Sequence, residues 1–354
     1  MQFLILLNPP HQKFLLRNFN TFFFPMRYLQ CVIPTFFVVT GNILGGYWAL
    51  GNMVFSLVFM VLVDFAFSRH RSDQVAENEA IPTTILVFGA ILHLISTASL
   101  LYGVANGNLF GKSIIWAAIS TGLNSGLIGI TSAHELIHRK NLVLKDLGIL
   151  CLISCCYGHF YIEHRKGHHA LVGTLEDPAT ARKGEMFYAF LLRTIPGQWL
   201  SAFRIERERI MRIKGSQIVQ NFTINITVIQ ILLAGILLYL FGGDLVYAFV
   251  LQAFIAIVLL EFVNYIEHYG LVRNPKEKVG PNHAWQSDSV TSRFTLFELS
   301  RHSHHHMEAA TPYHKLQHFE GSKQLPFGYY GMFYIALIPP LWFKVMNPRL
   351  SESK

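Results

Sequence analysis

The chain has 354 residues, of which 52% are apolar and only 14% charged, against about 25% charged in soluble domains. Its length admits two soluble domains or one membrane domain, and this composition selects the second. The net charge of +8 gathers beside hydrophobic runs, and no Lys/Arg stripe with interleaved aromatics is present. That argues against nucleic acid and for a membrane surface.

Residues 1–27 mix Phe and Leu with Lys13, Arg17 and Arg27 and read as a basic interfacial lead-in. Met1 to Pro10 form a short apolar patch without the basic n-region or small-residue cleavage site of a signal peptide, so none is expected. Six apolar runs follow, at 28–50, 53–67, 81–104, 110–132, 222–241 and 245–265. Each approaches the ~20 residues that cross a hydrocarbon core of roughly 30 Å. They pair into three hairpins with turns at Gly51-Asn52, Ala105-Asn106-Gly107-Asn108 and Gly242-Gly243-Asp244, none of which holds Lys or Arg. The other side collects Lys13, Arg17, Arg27, Arg69, Arg71, Arg139, Lys140 and the basic 182–214 segment. The positive-inside rule then puts both termini in the cytoplasm. The domain boundaries expected are a catalytic domain over 28–350 and a short tail at 351–354.

Three further stretches are expected to stay out of the spanning set. The apolar run 142–161 is read as a helix that enters and returns, or lies buried, because crossing would separate the histidines that flank it. Residues 187–214 alternate charge with Phe, Leu and Trp199, as an interfacial amphipathic segment does. Residues 327–345 contain Pro339-Pro340, which breaks a spanning helix. The expected fold is an all-α integral membrane protein with about six transmembrane helices. Cys31, Cys151, Cys155 and Cys156 form no C-x-x-C pair, so buried inert thiols are expected and a rubredoxin-type or zinc-ribbon site is not.

Histidine carries the chemistry. Of 17 histidines, 10 fall in four clusters, all at the membrane face opposite the hairpin turns. His134 and His138 are one helical turn apart at the end of the fourth run; His164 and His168 repeat that spacing, with His169 adjacent. His268 ends the sixth run, and His302, His305 and His306 share a helical face. The pattern H-E-x-x-H is also a zinc-protease signature. Yet a zinc site uses three or four protein ligands, and nine imidazoles suit two metal ions better. Imidazole serves iron, copper, zinc and nickel alike. Glu135, Glu163 and Glu267 adjoin these histidines and fit direct ligation or a hydrogen bond to a ligand's second nitrogen equally well. Asp177 and Asp288 are weaker candidates for the latter. His11, His70, His93, His314 and His318 read as ordinary polar residues.

The set H-E-L-x-H, E-H-x-x-G-H-H, N-Y-x-E-H-Y-G and R-H-S-x-H-H resembles the membrane-bound alkane 1-monooxygenases, di-iron relatives of membrane fatty acid desaturases. The element Asn264 to Gly270 is the most specific, since it separates this family from desaturases at large. The likeness extends to Asp177-Pro178-Ala179-Thr180, Gln324-Leu325-Pro326, Gly328-Tyr329 and Pro339-Pro340-Leu341-Trp342 and covers roughly residues 80–350. It implies iron ligation by His134, His138, His164, His168, His169, His268, His302, His305 and His306, with His283 near the site. The chain departs from the family at His304, where Asp is usual, and at Thr311-Pro312-Tyr313-His314, which replaces a stretch usually rich in Arg and Gln. His304 therefore joins Glu135, Glu163, Glu267 and His283 as a candidate neighbour of the metals.

The resemblance implies two iron ions and no haem, with O2 as co-substrate and hydroxylation of an unactivated, terminal C–H bond of an apolar chain. Electrons would come from a rubredoxin- or ferredoxin-type carrier and its NAD(P)H-dependent reductase, at a bacterial inner membrane. The basic cytoplasmic face suits an acidic carrier. Rivals are a fatty acyl desaturase or hydroxylase, an alkyl-aromatic methyl monooxygenase, an intramembrane zinc protease built on His134-Glu135-x-x-His138, and a metal transporter, whose ligands should lie within the spans.

Overall fold

The computed structural model describes residues 26–66, 79–213 and 217–351. Most of the basic lead-in, the loop with Arg69, His70 and Arg71, and residues 352–354 lie outside the described residues. Among the described residues the fold is helical, with one two-residue parallel strand pair, Trp285–Gln286 against Lys323–Gln324.

Among the described residues, five helices are long and apolar enough to cross a membrane: α2 (Gly46–Ala66), α3 (Ala80–Ala105), α4 (Lys112–Ile137), α8 (Phe222–Phe241) and α9 (Gly243–His268). The first expected run contains the shorter α1 (Val32–Leu44), preceded by a 3-10 segment, Arg27–Cys31. Thirteen residues of helix rise only ~20 Å. The first hairpin does not turn at Gly51-Asn52. It turns at Gly45, whose φ of 68° is left-handed and whose absent Cβ admits the Asn108 carbonyl. Asn52 is instead buried in α2, donating to the Ser120 carbonyl at 2.7 Å and accepting from Ser56 at 2.9 Å. A polar residue that looked like a turn marker is a helix-to-helix contact. The turn after α3 lies beside Gly45, with Asn108 donating to the Ile43 carbonyl at 3.0 Å. Gly242, at φ 85°, separates α8 from α9.

Helices α4 and α9 form the centre. Both start at a hairpin turn, so they run in parallel and end at the same level. Gly122 and Gly126, one turn apart, let them approach: a Cβ on Gly122 would lie 2.6 Å from the Gln252 carbonyl oxygen, and one on Gly126 2.7 Å from Leu259. Small residues set close crossings of this kind in membranes. His134 near the end of α4 and His268 at the end of α9 are thereby delivered to one place.

The apolar run 142–161 returns without crossing. Helix α5 (Leu142–Ser154), capped by Asn141, packs on α4 and reverses at Cys156, whose φ is 54°. The chain then enters a helical run over 160–171 (α6), with a π segment at Glu163–His168. The expected amphipathic segment is one helix, α7 (Phe187–Met211); its buried side chains Phe187, Phe190, Thr194, Gln198, Ala202, Glu206 and Ile210 follow helical spacing. Short helices α10 (Val290–Thr295), α11 (His302–Met307), α12 (Tyr329–Ala336) and α13 (Pro339–Ser351) close the histidine end. The prolines break the run between α12 and α13, as expected. Cys31, Cys151 and Cys155 are buried, Cys156 is partly so, and all four are free.

Candidate metal centre

The histidines converge in two groups. His134, His138, His164 and His305 present ring nitrogens within 4.8 Å of one another, and so do His168, His268, His302 and His306. His169 lies between the groups, its Nε2 3.1 Å from Nε2 of both His164 and His305 and its ring 4.7 Å from that of His306. The helical spacing explains part of this. His134 and His138 close the last turn of α4, and His302 and His306 share one face of α11. The π segment departs from it: its wider turn sends His164 to one group and His168 to the other, although their i, i+4 spacing predicts a common face.

Hydrogen bonding alone does not account for the contacts. His302 Nε2 lies 3.2 Å from His268 Nε2, 2.8 Å from His306 Nε2 and 3.1 Å from Glu267 Oε2. A ring nitrogen has a single in-plane proton or lone pair to offer, so it cannot satisfy three partners. Nitrogens bonded to one ion at ~2.0–2.1 Å stand roughly 2.9–3.4 Å apart, close to the spacings observed. Nε2 of His134, His138 and His168 is buried and has no protein partner. Burial, reinforced by Arg165 and Arg139, lowers His138 to about 3. Burial and the neighbouring imidazoles push His164, His169, His302, His305 and His306 well below the usual range. These six are then neutral, the form that binds a metal. The donor set fits two ions.

The carboxylates divide by role. Asp177 Oδ2 meets His168 Nδ1 at 2.9 Å and is itself held by the Thr180 hydroxyl at 2.6 Å and, through Oδ1, the Ala179 N–H at 3.0 Å. The sequence ranks it low, yet it holds the second ring nitrogen of His168 and so orients that ring. Glu267 Oε1 accepts from the Tyr329 hydroxyl at 2.5 Å, which aims Oε2 at His302. Glu135 is tied to Arg139 at 2.7 Å and to the Tyr313 N–H at 3.2 Å; it is no free base for a zinc protease. Glu163 lies beside Gly167 and Ser201, and burial together with Asp177 and Glu261 raises its pKa well above the usual range.

His283 and His304 join neither group. His283 accepts from the Gly280 N–H at 2.9 Å, and His304 from the Gln317 N–H at 2.8 Å while its ring meets Phe319. Asp288 serves His318, 2.9 Å away, and not the nine imidazoles. Sequence reading missed Glu261, a fully buried carboxylate that accepts from Tyr157 (2.9 Å), Thr194 (3.0 Å), Gln198 (2.8 Å) and Asn264 (3.2 Å). A carboxylate six positions before Glu267, inside an apolar run, is the signal that pointed to it.

An apolar cavity reaches this centre. Its walls are mostly apolar, with Leu123, Leu127, Leu259, Phe262, Leu296 and Phe333 among them, and its inner end carries His134, His164, His302 and Glu267.

Helical spans, a histidine-rich centre at one end and an apolar cavity leading to it define a membrane-embedded enzyme of the desaturase type. The fatty acid desaturase family profile matches residues 112–336. The chain is 32% identical to an alkane 1-monooxygenase of Acinetobacter baylyi over 92% of its own length and 85% of the relative's. It is 37% identical to alkane 1-monooxygenase 2 of Alcanivorax borkumensis over 86% and 83%. The hydroxylase component of a Pseudomonas putida xylene/toluene monooxygenase is 28% identical over 92% and 89%. The chain belongs to the alkane 1-monooxygenase family, and its enzyme class is oxidoreductase.

Proposed function

We propose that the protein is a non-haem di-iron monooxygenase that hydroxylates the terminal C–H bond of an alkane or similar apolar chain. The cavity carries this reading: apolar along its walls, it ends on imidazoles from both groups. His134, His138, His164 and His305 would hold one ion, and His168, His268, His302 and His306 the other, with His169 between them. Iron bound there would supply O2 activation: one oxygen atom enters the C–H bond, and the other leaves as water with two electrons and two protons.

The chain's own residues do the rest. The leucine and phenylalanine walls bind the substrate by burial, at ~0.8 kcal/mol per methylene. Polar side chains are the minority of the lining, and the imidazoles with Glu267 stand at its inner end, where a chain end would meet them. Tyr329 fixes Glu267 toward His302, and Asp177 fixes the ring of His168. A dry cavity keeps water from the reacting carbon. With no C-x-x-C site, electrons come from a separate rubredoxin- or ferredoxin-type carrier with an NAD(P)H-dependent reductase. The cation-free hairpin turns support a cytoplasmic centre in a bacterial inner membrane.

The xylene/toluene relative favours a second reading, hydroxylation of an alkyl-aromatic methyl group. Metal analysis of the purified protein, with turnover on octane and on xylene compared, separates the two. The proposal expects about two irons per chain, as the two histidine groups imply, and a primary alcohol from octane. Preference for xylene, or an alkene product, would overturn it.

A further inference from the structure

The apolar cavity has a polar inventory of its own, and it is one-sided. Every hydroxyl in the lining spends its proton inside the protein. Ser56 donates to Asn52 Oδ1 at 2.9 Å, Thr131 to the Gly126 carbonyl at 3.4 Å and Tyr329 to Glu267 at 2.5 Å. Tyr334 donates to the Leu57 carbonyl. Tyr330 meets the Thr295 hydroxyl at 2.9 Å; Thr295 gives its own proton to the Thr291 carbonyl at 2.6 Å, so Tyr330 is the donor there. The lining holds a single amide, Asn264.

That amide is oriented from behind. Glu261, fully buried one turn earlier in α9, accepts from Asn264 Nδ2 at 3.2 Å and also from Tyr157, Thr194 and Gln198 at 2.9, 3.0 and 2.8 Å. A carboxylate holding four donors offers acceptors only, so the amide turns its NH2 to Glu261; the reverse would set two acceptors face to face. Oδ1 is left to the cavity side, and no hydrogen bond within the described residues takes it. Glu267 and His268 follow at i+3 and i+4, on the same face. The carbonyl therefore stands about 5 Å, one helical turn, along the wall from the metal centre.

We propose that Asn264 is the product-binding residue of the cavity: its Oδ1 accepts the hydroxyl of a primary alcohol drawn back one turn from the metals. This rests on the functional reading above and adds the group that receives its product. An alkane in the cavity leaves the carbonyl unpaired, which costs free energy in an apolar site, and an alcohol pairs it. An ether brings only acceptors and gains nothing, because the wall has no free hydroxyl proton to give. The cavity thus selects hydroxyl-bearing chains over acceptor-only chains of the same length.

The test uses the purified, metal-loaded protein in detergent micelles without O2 or a carrier, so that nothing turns over. 1-Fluorooctane is the reporter; its 19F line broadens in the cavity and sharpens on displacement. 1-Octanol and 1-methoxyheptane, equal in length and differing in the hydroxyl proton, are compared as displacers. Their partition into micelles is common to all variants, so a change in the ratio of displacement constants belongs to the protein. Asn264→Leu should lower the octanol-to-ether ratio about three- to tenfold, the worth of one hydrogen bond. Asn264→Ala, a smaller change, should do the same and decides the matter where the leucine variant does not fold. A ratio that neither substitution changes would overturn the proposal, even with both displacers weakened together, since loss of packing alone would do that. If the ratio falls but the active protein makes no alcohol from octane, the functional reading fails and the hydroxyl site stands.

Discussion

His169 is the imidazole that regular helical spacing leaves without a group: it follows His168 directly yet touches His164 and His305 of one group and faces His306 of the other. Its place between the groups follows from the π segment that ends at His168, a feature no residue type announces. For His134 with His138 and His302 with His306, helical spacing was enough to bring the rings together; that His164 and His168 part into different groups was not legible, because the π segment breaks their common face. His283 and His304 were read as neighbours of the metals because of their sequence setting; the side chains of both hold loop backbone, while the backbone of His283 meets the ring of His268. Two predictions belong here. His302→Ala should lower bound metal by at least one ion per chain and abolish turnover, whereas His304→Ala should retain both ions; elemental analysis of the two variants checks this. Asp177→Asn leaves His168 without its anionic partner and should cost about 10–100-fold in activity or metal affinity, measured as metal retained against a competing chelator.

Among the elements, the α4–α9 pair decides whether the two groups meet at all. Its close approach depends on Gly122 and Gly126. Gly122→Val would drive a branched side chain into the Gln252 backbone, at a cost of about 1–3 kcal/mol from overpacking. Thermal unfolding in detergent should show a lower midpoint, and the metal content should fall with it. An equal midpoint would mean that the contact does not hold the pair. These glycines carry a small-xxx-small pattern that was readable in the sequence. The Gly45 turn was harder to find, because Gly45-Gly46 and Gly51-Asn52 are equally plausible breaks. Only the Asn108 loop, brought close by the second hairpin, decides between them. The family motifs gain physical reasons at this scale. Tyr265 and Tyr269 pack on Trp342, with ring centroids at 4.8 and 5.2 Å. Gly270, at φ 68°, leaves room for Leu350, which a Cβ would meet at 2.6 Å.

Across the whole molecule, the spans and the polar cap divide the work. The spans hold an apolar cavity, and the cap holds the imidazoles at its end. This layout predicts that the hairpin turns and the histidine cap lie on opposite sides of the membrane. Single cysteines at Asn106 and Lys183, probed in intact cells with a membrane-impermeant maleimide, should react at Asn106 alone; reaction at Lys183 would invert the topology. The general plan was visible from hydropathy and charge, since spans and their flanking cations are set by the bilayer itself. The cavity was not, because any apolar helix face can serve as a wall and only packing shows which faces part. The most direct test of the central claim is the product formed from octane under 18O-labelled O2 by the purified, iron-loaded protein with a reduced carrier. The account predicts 1-octanol carrying one labelled oxygen. Unlabelled alcohol, or octene without oxygen, would contradict it.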